Sequence, residues 1–455
     1  MTSPYDLIVR SSWVVTPDGV TRADIGVAEG KIAAIEAVIS EAARSEINGE
    51  GLFALPGIVD AHVHFNDPGR TEWEGLDTGS RSLAAGGGTL FFDMPLNSLP
   101  PTIDGAAFAE KRRIAEAKSL IDFALWGGLV PGNLDKLGEL RDAGAVGLKA
   151  FMCGSGVAEF PGVTDARTLR EGMKRAAALG MLVAVHAENE ALAASLTASA
   201  RSSGRKDIRS WLGTRPVSVE LEAIATAIEC AGETGCRLHI VHVSSPEGIA
   251  LINAAKARGL DVSAETCPHY LLLSEASVVE QGAPAKCCPP LRTEAQRLLL
   301  WDLLAKGSVD TVGSDHSPAP PSMKTSPDFF EVWGGVSGCQ HGFPLFISEA
   351  IAAWGKEEAL RRVSSVLSSN VVERFGISGK GRLAVGLDAD LMIIEIGEPR
   401  ALSNASLMYR HVQGPYHGRL SRVRVVHTLS RGGSIIALGA PVPHSARGRF
   451  IQPHT

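Results

Sequence analysis

The sequence predicts an α/β fold, a (β/α)8 barrel of the TIM type with a smaller β-rich unit built from both ends of the chain. Three observations predict it. Eight apolar, strand-like runs follow one another between residues 57 and 315. Most gaps between them carry an amphipathic helix pattern, and both flanks are rich in short strands punctuated by glycine.

In chain order, DLIVRSSWVVTPDGVTRADIGVAEGKIAAIE reads as short strands broken at the turn pairs Asp18-Gly19 and Glu29-Gly30. The barrel runs are GIVDAHVH (57–64), GTLFFDM (88–94), IDFALWGG (121–128), VGLKAFM (146–152), MLVAVHAE (181–188), RLHIVHVS (237–244), LDVSAET (260–266) and VDTVGSD (309–315). Helices are expected over AAFAEKRRIAEAK, DARTLREGMKRAAALG, SVELEAIATAIECAGETG and SPEGIALINAAKARG, with Ser, Asp or Pro-Glu starts and Gly ends as boundary signals. The tail segments DADLMIIEI, RVRVVHTLSRGG and SIIALG return to the β pattern. The expected division is 1–55 and 385–455 for the small β unit and 56–384 for the barrel. No short repeat or low-complexity segment interrupts it.

The bulk properties narrow the function class. At 455 residues, with 45% hydrophobic and 21% charged residues, the composition is that of a soluble globular protein. A net charge of −6 without a long basic run argues against nucleic acid. The 7 cysteines form no CxxC pair, which suits reduced thiols in the cytoplasm. The start MTSPYDLIVRSSWVV lacks the charged and apolar regions of a signal peptide, and no uncharged apolar stretch approaches membrane-spanning length. The expectation is a cytoplasmic protein with a small-molecule substrate and neither a nucleic-acid nor a membrane partner.

Working residues of such a barrel lie where strands end. Here several runs end in a metal-ligating type followed at once by turn residues: AHVHFNDPG, LKAFMCGSG, AVHAENE, IVHVSSPEG and GSDHSPAPP. His62 and His64 are two apart, so on a strand both rings face the same way and can chelate one ion. His186 and His242 close later strands. Asp315 closes the last and is placed to hold an ion and to take the proton of an attacking water. A lysine inside VGLKAFM either pairs with an acid, carries its amine to the strand end, or loses its proton and adds CO2. Charge counting favours the last: two divalent cations against a Lys149 carbamate, Asp315 and a hydroxide leave about +1. Zinc suits such nitrogen and oxygen ligands first, with manganese or cobalt acceptable. His239 differs from His242 by an odd number and is expected to face the other side of its strand. His269 and His316 are candidate supporting groups. Histidines 411, 417, 427, 444 and 454 lie past the barrel, and Cys287-Cys288 has no base to make it a nucleophile.

At GIVDAHVHFNDPG, GLKAF, HAEN, HVSS and GSDHSP, and in the tail GRLAVGLDADLMIIEI, the sequence resembles the amidohydrolase superfamily. The resemblance is to its cyclic-amidase branch of dihydroorotases, dihydropyrimidinases, hydantoinases and allantoinases. It implies a distorted barrel, a small β-sandwich from both termini, and two metal ions bridged by carboxylated Lys149. His62, His64 and Asp315 would then hold one ion, and His186 and His242 the other. It also implies a homotetramer. Dihydroorotases carry Arg two residues after the second His, where this chain has Asn66, a neutral amide poorly suited to a carboxylate. Dihydropyrimidinases and hydantoinases place a Tyr after the bridging Lys, and Cys153–Gly156 has none. DPGRTEWEG, GGGTLFFDMPLNSLPPTID and KCCPPLR look most like allantoinases. The implied reaction is opening of the hydantoin ring of allantoin to allantoate, with Asp315 carrying the proton. Asn66, Asn97, Cys288 and Ser317 are the candidate substrate contacts. Cys288 stands where related enzymes have a Ser whose main chain holds the ring amide. A hydantoinase or dihydropyrimidinase is the first alternative. A non-catalytic scaffold of the dihydropyrimidinase type is the remote one, since such proteins lose ligands that this chain retains.

Overall fold

The protein is described here by a computed structural model covering residues 3–443 and 447–454; His444 lies outside the described residues. Two parallel ladders make the barrel wall. One joins Ile58–Val63, Gly88–Asp93 and Asp122–Leu125. The other joins Gly127–Gly128, Leu148–Phe151, Val183–His186, Leu238–Ile240, Val262–Thr266 and Thr311–Val312. The expected third run is therefore two strands, split at Trp126. Its backbone N–H reaches back to the Asp93 carbonyl (3.1 Å) and its indole N–H donates to the Ala61 carbonyl (2.9 Å). The barrel closes where the His64 N–H donates to the His316 carbonyl (2.8 Å) and the Ser314 N–H to Asp60 Oδ1 (2.9 Å). This split and this irregular closure are the distortion of the barrel.

Most strands are shorter than the apolar runs that announce them. The run at 309–315 keeps only Thr311–Val312 as strand, because its end leaves the ladder and becomes the loop that carries Asp315. The helices follow their boundary signals more closely. Asp165 and Ser245 accept from the Thr168 and Gly248 N–H groups (2.8 and 3.2 Å) to cap Ala166–Ala178 and Pro246–Ala257. Gly235 ends Val217–Thr234 at φ 69°, a left-handed turn that glycine adopts without cost. Inside the barrel, Val371, Val372 and Phe375 pack into a buried cluster with Val59, Leu90, Phe92 and Trp126.

Both chain ends contribute to one nine-stranded mixed sheet. Phe53–Pro56 lies parallel to Tyr5–Thr16 on one side and antiparallel to Leu391–Ala401 on the other. Residues from 447 onward leave this sheet and run beside the third barrel strand. There the Phe123 N–H donates to the Arg449 carbonyl and the Ile451 N–H to the Phe123 carbonyl (3.0 and 2.7 Å).

One buried ion cluster ties the third barrel strand to the terminal sheet. Lys380 Nζ lies 2.7 Å from Asp122, 2.9 Å from Asp388 and 2.6 Å from Asp390, and Arg431 also pairs with Asp122. Burial disfavours the ammonium, but Asp390 and Asp122 outweigh it and keep Lys380 charged. Lys380→Met leaves buried Asp390 without its counter-charge, a change that costs about 3–5 kcal/mol. Thermal or denaturant unfolding should show a clearly lowered midpoint, and an unchanged midpoint would refute the role of the cluster.

Candidate functional site

The residues singled out in the sequence converge at the carboxyl ends of the barrel strands. His62 lies within Ile58–Val63 and His64 one residue past it; Lys149 lies within Leu148–Phe151; His186 ends Val183–His186. His242 and Asp315 stand beyond their short strands at φ 40° and 43°, a left-handed backbone that turns each side chain back toward the others. All six are buried.

The hydrogen bonds decide what this cluster can hold. His62 Nδ1 lies 2.8 Å from Glu265 Oε1. Burial raises the Glu265 carboxyl, but the His62 and His239 rings outweigh it and hold it at about 2, so it is a carboxylate and Nδ1 donates. In the neutral ring Nε2 is then a bare lone pair, and it faces Asp315 Oδ1 at 3.3 Å. His64 Nε2 faces the same oxygen at 3.4 Å. Burial pushes His64 down to about 4, which leaves it neutral. Burial also opposes ionisation of Asp315, yet its carboxyl lies well below the usual carboxylate range, because any proton the cluster holds goes to the His62, His64 and His242 rings beside it.

The second pair repeats the pattern. His186 Nε2 lies 2.8 Å from Glu188 Oε2, and its Nδ1 lies 3.0 Å from His242 Nε2. Burial and the neighbouring His186 keep His242 well below its ordinary value, so two neutral rings face each other. His62 Nε2 and Asp315 thus face each other as acceptors, and His186 Nδ1 lies beside His242 Nε2, so the buried site offers converging ligand atoms for a cation. Nitrogen and oxygen ligands about 2.0–2.1 Å from a tetrahedral ion lie roughly 3.3 Å from one another. The separations here match that spacing, and one ligand atom each from His62, His64 and Asp315 falls within 4.8 Å of the others. The Lys149 amine is buried with no hydrogen-bond partner, and burial lowers it to about 8. The donor set fits a divalent metal centre, with His62 and His186 each oriented by a carboxylate behind the ring.

A cavity of about 340 Å³ opens beside these groups. Asn97, Cys288 and Ser317 line it, as expected; Asn66 does not, although its amide is buried with both polar atoms unpartnered. The segment 329–335 covers part of the cavity and is pinned by two buried lysines. Lys286 donates to the Phe329 and Val332 carbonyls (2.5 Å each), and Lys324 to the Trp333 and Gly335 carbonyls (2.9 and 2.8 Å). His239 departs from its expected place. The strand ends at Ile240 and the backbone reverses at His242, so counting residues across that break fails. His239 instead shares Glu265 with His62, at 3.7 Å, and bonds Ser263 Oγ at 2.7 Å. His316 helps to close the barrel, its Nδ1 accepting from the Gly338 N–H (3.1 Å). His269 is buried with both ring nitrogens unpartnered. His411 bonds the Glu72 carbonyl and His417 accepts from the Asn404 N–H, away from the cavity.

Sequence reasoning missed Glu188, Arg215, Lys286 and Glu265. Two of these had a signal. Glu188 is two residues past His186, and Glu265 stands near the end of LDVSAET, one of the eight runs. Arg215 and Lys286 sit in loops with no periodic pattern to mark them.

The amidohydrolase family model matches residues 53–433. The chain is 48% identical over 451 residues to an allantoinase of Rubrobacter xylanophilus, covering 99% of this chain and 98% of that one. It is 46% identical over 450 residues to an allantoinase of Deinococcus radiodurans, covering 99% of each. Among solved structures, an L-hydantoinase (dihydropyrimidinase) from Arthrobacter aurescens superposes with a TM-score of 0.94 at 35% identity, covering 98% of this chain and 100% of that one.

Glu265→Gln removes the charge that orients His62 and strengthens it as a ligand. Changes to such supporting groups weaken metal affinity by about 10–100-fold. Chelator dialysis followed by metal analysis should show earlier ion loss from the variant, and equal retention would count against the role of Glu265.

Proposed function

The chain belongs to the amidohydrolase family, and from that premise we propose that it hydrolyses the cyclic amide of allantoin to give allantoate. The observation that carries this reading is full-length identity of 41–48% to several allantoinases. The hydantoinase names of the solved neighbours favour a second reading, a broader hydantoin-ring hydrolase.

In this reading His62, His64 and Asp315 hold one divalent ion and His186 and His242 the other. Lys149 bridges them as a carbamate: its neutral amine forms an N–C bond to CO2 and releases one proton to solvent. The unpartnered, unusually acidic amine supports that role. Zinc suits the donor set first, and manganese or cobalt would also fit. The pair supplies a water acidified toward neutrality and a Lewis acid for the ring carbonyl. Asp315, a carboxylate in this site, accepts the proton of the attacking water and returns it to the ring nitrogen as the C–N bond breaks. Asn97, Ser317 and the backbone at Cys288 position the ring, and the pinned segment 329–335 limits water on that side. A cytoplasmic location agrees with seven unpaired thiols, six of them buried. No helix among the described residues is long and apolar enough to cross a membrane. Assembly as a homotetramer rests on the sequence resemblance.

One metal-loaded preparation, assayed on allantoin, hydantoin and dihydrouracil, tests the substrate. Allantoin should give the highest kcat/KM; good hydantoin turnover with negligible allantoin turnover would overturn the reading. The carbamate predicts a pH dependence. Because the folded amine sits at about 8, below the ordinary lysine value, its neutral fraction grows about tenfold per pH unit up to that point and then levels. Reactivation of metal-free protein at fixed dissolved CO2 should follow that curve. Lys149→Ala should not reactivate at all, and near wild-type activity in that variant would refute the bridge.

A further inference from the structure

The metal centre uses the strand ends but leaves one wall of the cavity unexplained. There, buried Glu188 and half-buried Arg215 stand side by side with hydrogen-bonding capacity unspent. Glu188 is 2% exposed; its Oε2 takes the His186 ring N–H, while Oε1 has no hydrogen-bond partner. Arg215 Nε also lacks a hydrogen bond and lies 3.5 Å from Oε1, close enough for charge pairing but out of line for a bond. Both residues line the cavity.

Arg215 is held in place. Its carbonyl accepts from Arg292 Nη1 at 2.6 Å, its Nη1 donates to Thr214 Oγ1 at 3.3 Å, and its guanidinium lies 5.7 Å from the centre of the Trp211 ring. Lys286, a second cation on the same wall, spends its ammonium on the Phe329 and Val332 carbonyls. Among the described residues lining the cavity, Arg215 thus retains a cationic donor for a ligand, and beside it stands an acceptor.

We propose that Arg215 and Glu188 form the subsite that receives the exocyclic ureido group of the substrate, with a ureido carbonyl accepting from Arg215 and the adjacent ureido N–H donating to Glu188 Oε1. This inference rests on the allantoin reading above. The chemical match is one of pattern. A urea edge presents an N–H beside a C=O, the complement of a guanidinium donor beside a carboxylate acceptor. Each buried polar atom left unpaired costs free energy that such an edge recovers. A site built to bond a polar substituent discriminates strongly against an analogue lacking it, because its own groups are then stranded. Plain hydantoin keeps the scissile ring amide and lacks the ureido arm, so it isolates this subsite from the reaction centre.

The test is the ratio of kcat/KM for allantoin to that for hydantoin, in wild type and in Arg215→Gln, with metal content measured on each preparation. The ratio should fall about 10–100-fold in the variant while hydantoin turnover and metal content stay close to wild type. Equal losses on both substrates would show a ring-holding or structural role and overturn the proposal, as would an unchanged ratio. If Arg215→Gln fails to fold or loses metal, Arg215→Lys keeps the charge beside Glu188 while losing the planar fork. The same fall in ratio is then expected, and loss of metal from both variants would make the pair structural and overturn the subsite. A wild type that prefers hydantoin overturns the allantoin reading itself; a wild type that prefers allantoin with an unaltered ratio in the variants overturns only the subsite.

Discussion

Glu265 is a carboxylate sealed inside the barrel, and the arrangement of the metal-ligand layer depends on where its two oxygens point. Oε1 takes the proton of His62 Nδ1 and also lies 3.3 Å from the His242 backbone N–H, so one atom orients two ligands from different strands. Oε2 lies toward His239 in the layer below. The chain makes room for this hub at Gly313. A Cβ there would sit 2.7 Å from Glu265 Oε2 and 3.1 Å from the His62 Cβ, closer than packing allows. The glycine of VGSD is a steric condition for the Glu265–His62 bond, and through it for the lone pair that His62 turns toward Asp315.

Much of this was written in one-dimensional pattern. Apolar runs ending in His, Lys or Asp before turn residues place the six ligand candidates because a parallel barrel brings all its carboxyl ends to one rim. Histidine spacing worked within a continuous strand, as for His62 and His64, and failed across a backbone reversal, as for His239 and His242. Length was over-read for the same reason. A run such as 309–315 is apolar because it is buried, and burial does not require a partner strand along its whole length. Arg215 was not legible at all, and Lys286 was legible only as the first letter of KCCPPLR, with nothing to mark what it holds. A loop side chain enters a cavity through tertiary packing, and no local periodicity records it.

The cavity divides its labour between rigid and adjustable parts. The His62 and His186 rings are fixed by carboxylates behind them, whereas the segment 329–335 is fixed by lysine ammonium groups against backbone carbonyls. Burial lowers Lys324 to about 7 and Lys286 to about 8, and the carbonyls that converge on each amine accept its hydrogens. That side of the cavity is thereby walled by a loop whose anchor points are main-chain atoms, so its side chains can change while the anchors persist.

His242 and Asp315 both hold a left-handed backbone, a conformation that costs of order 1–3 kcal/mol for residues other than glycine and persists only where its surroundings enforce it. A cation held between them would reward the same two side chains for the direction that their strained backbone gives them. Folding and metal uptake are then thermodynamically linked. A filled chain gains stability in proportion to the free ion concentration, and an empty one carries the strain uncompensated. In a living cell that linkage makes metal supply a determinant of how long each copy survives proteolysis, separate from how fast it turns over substrate.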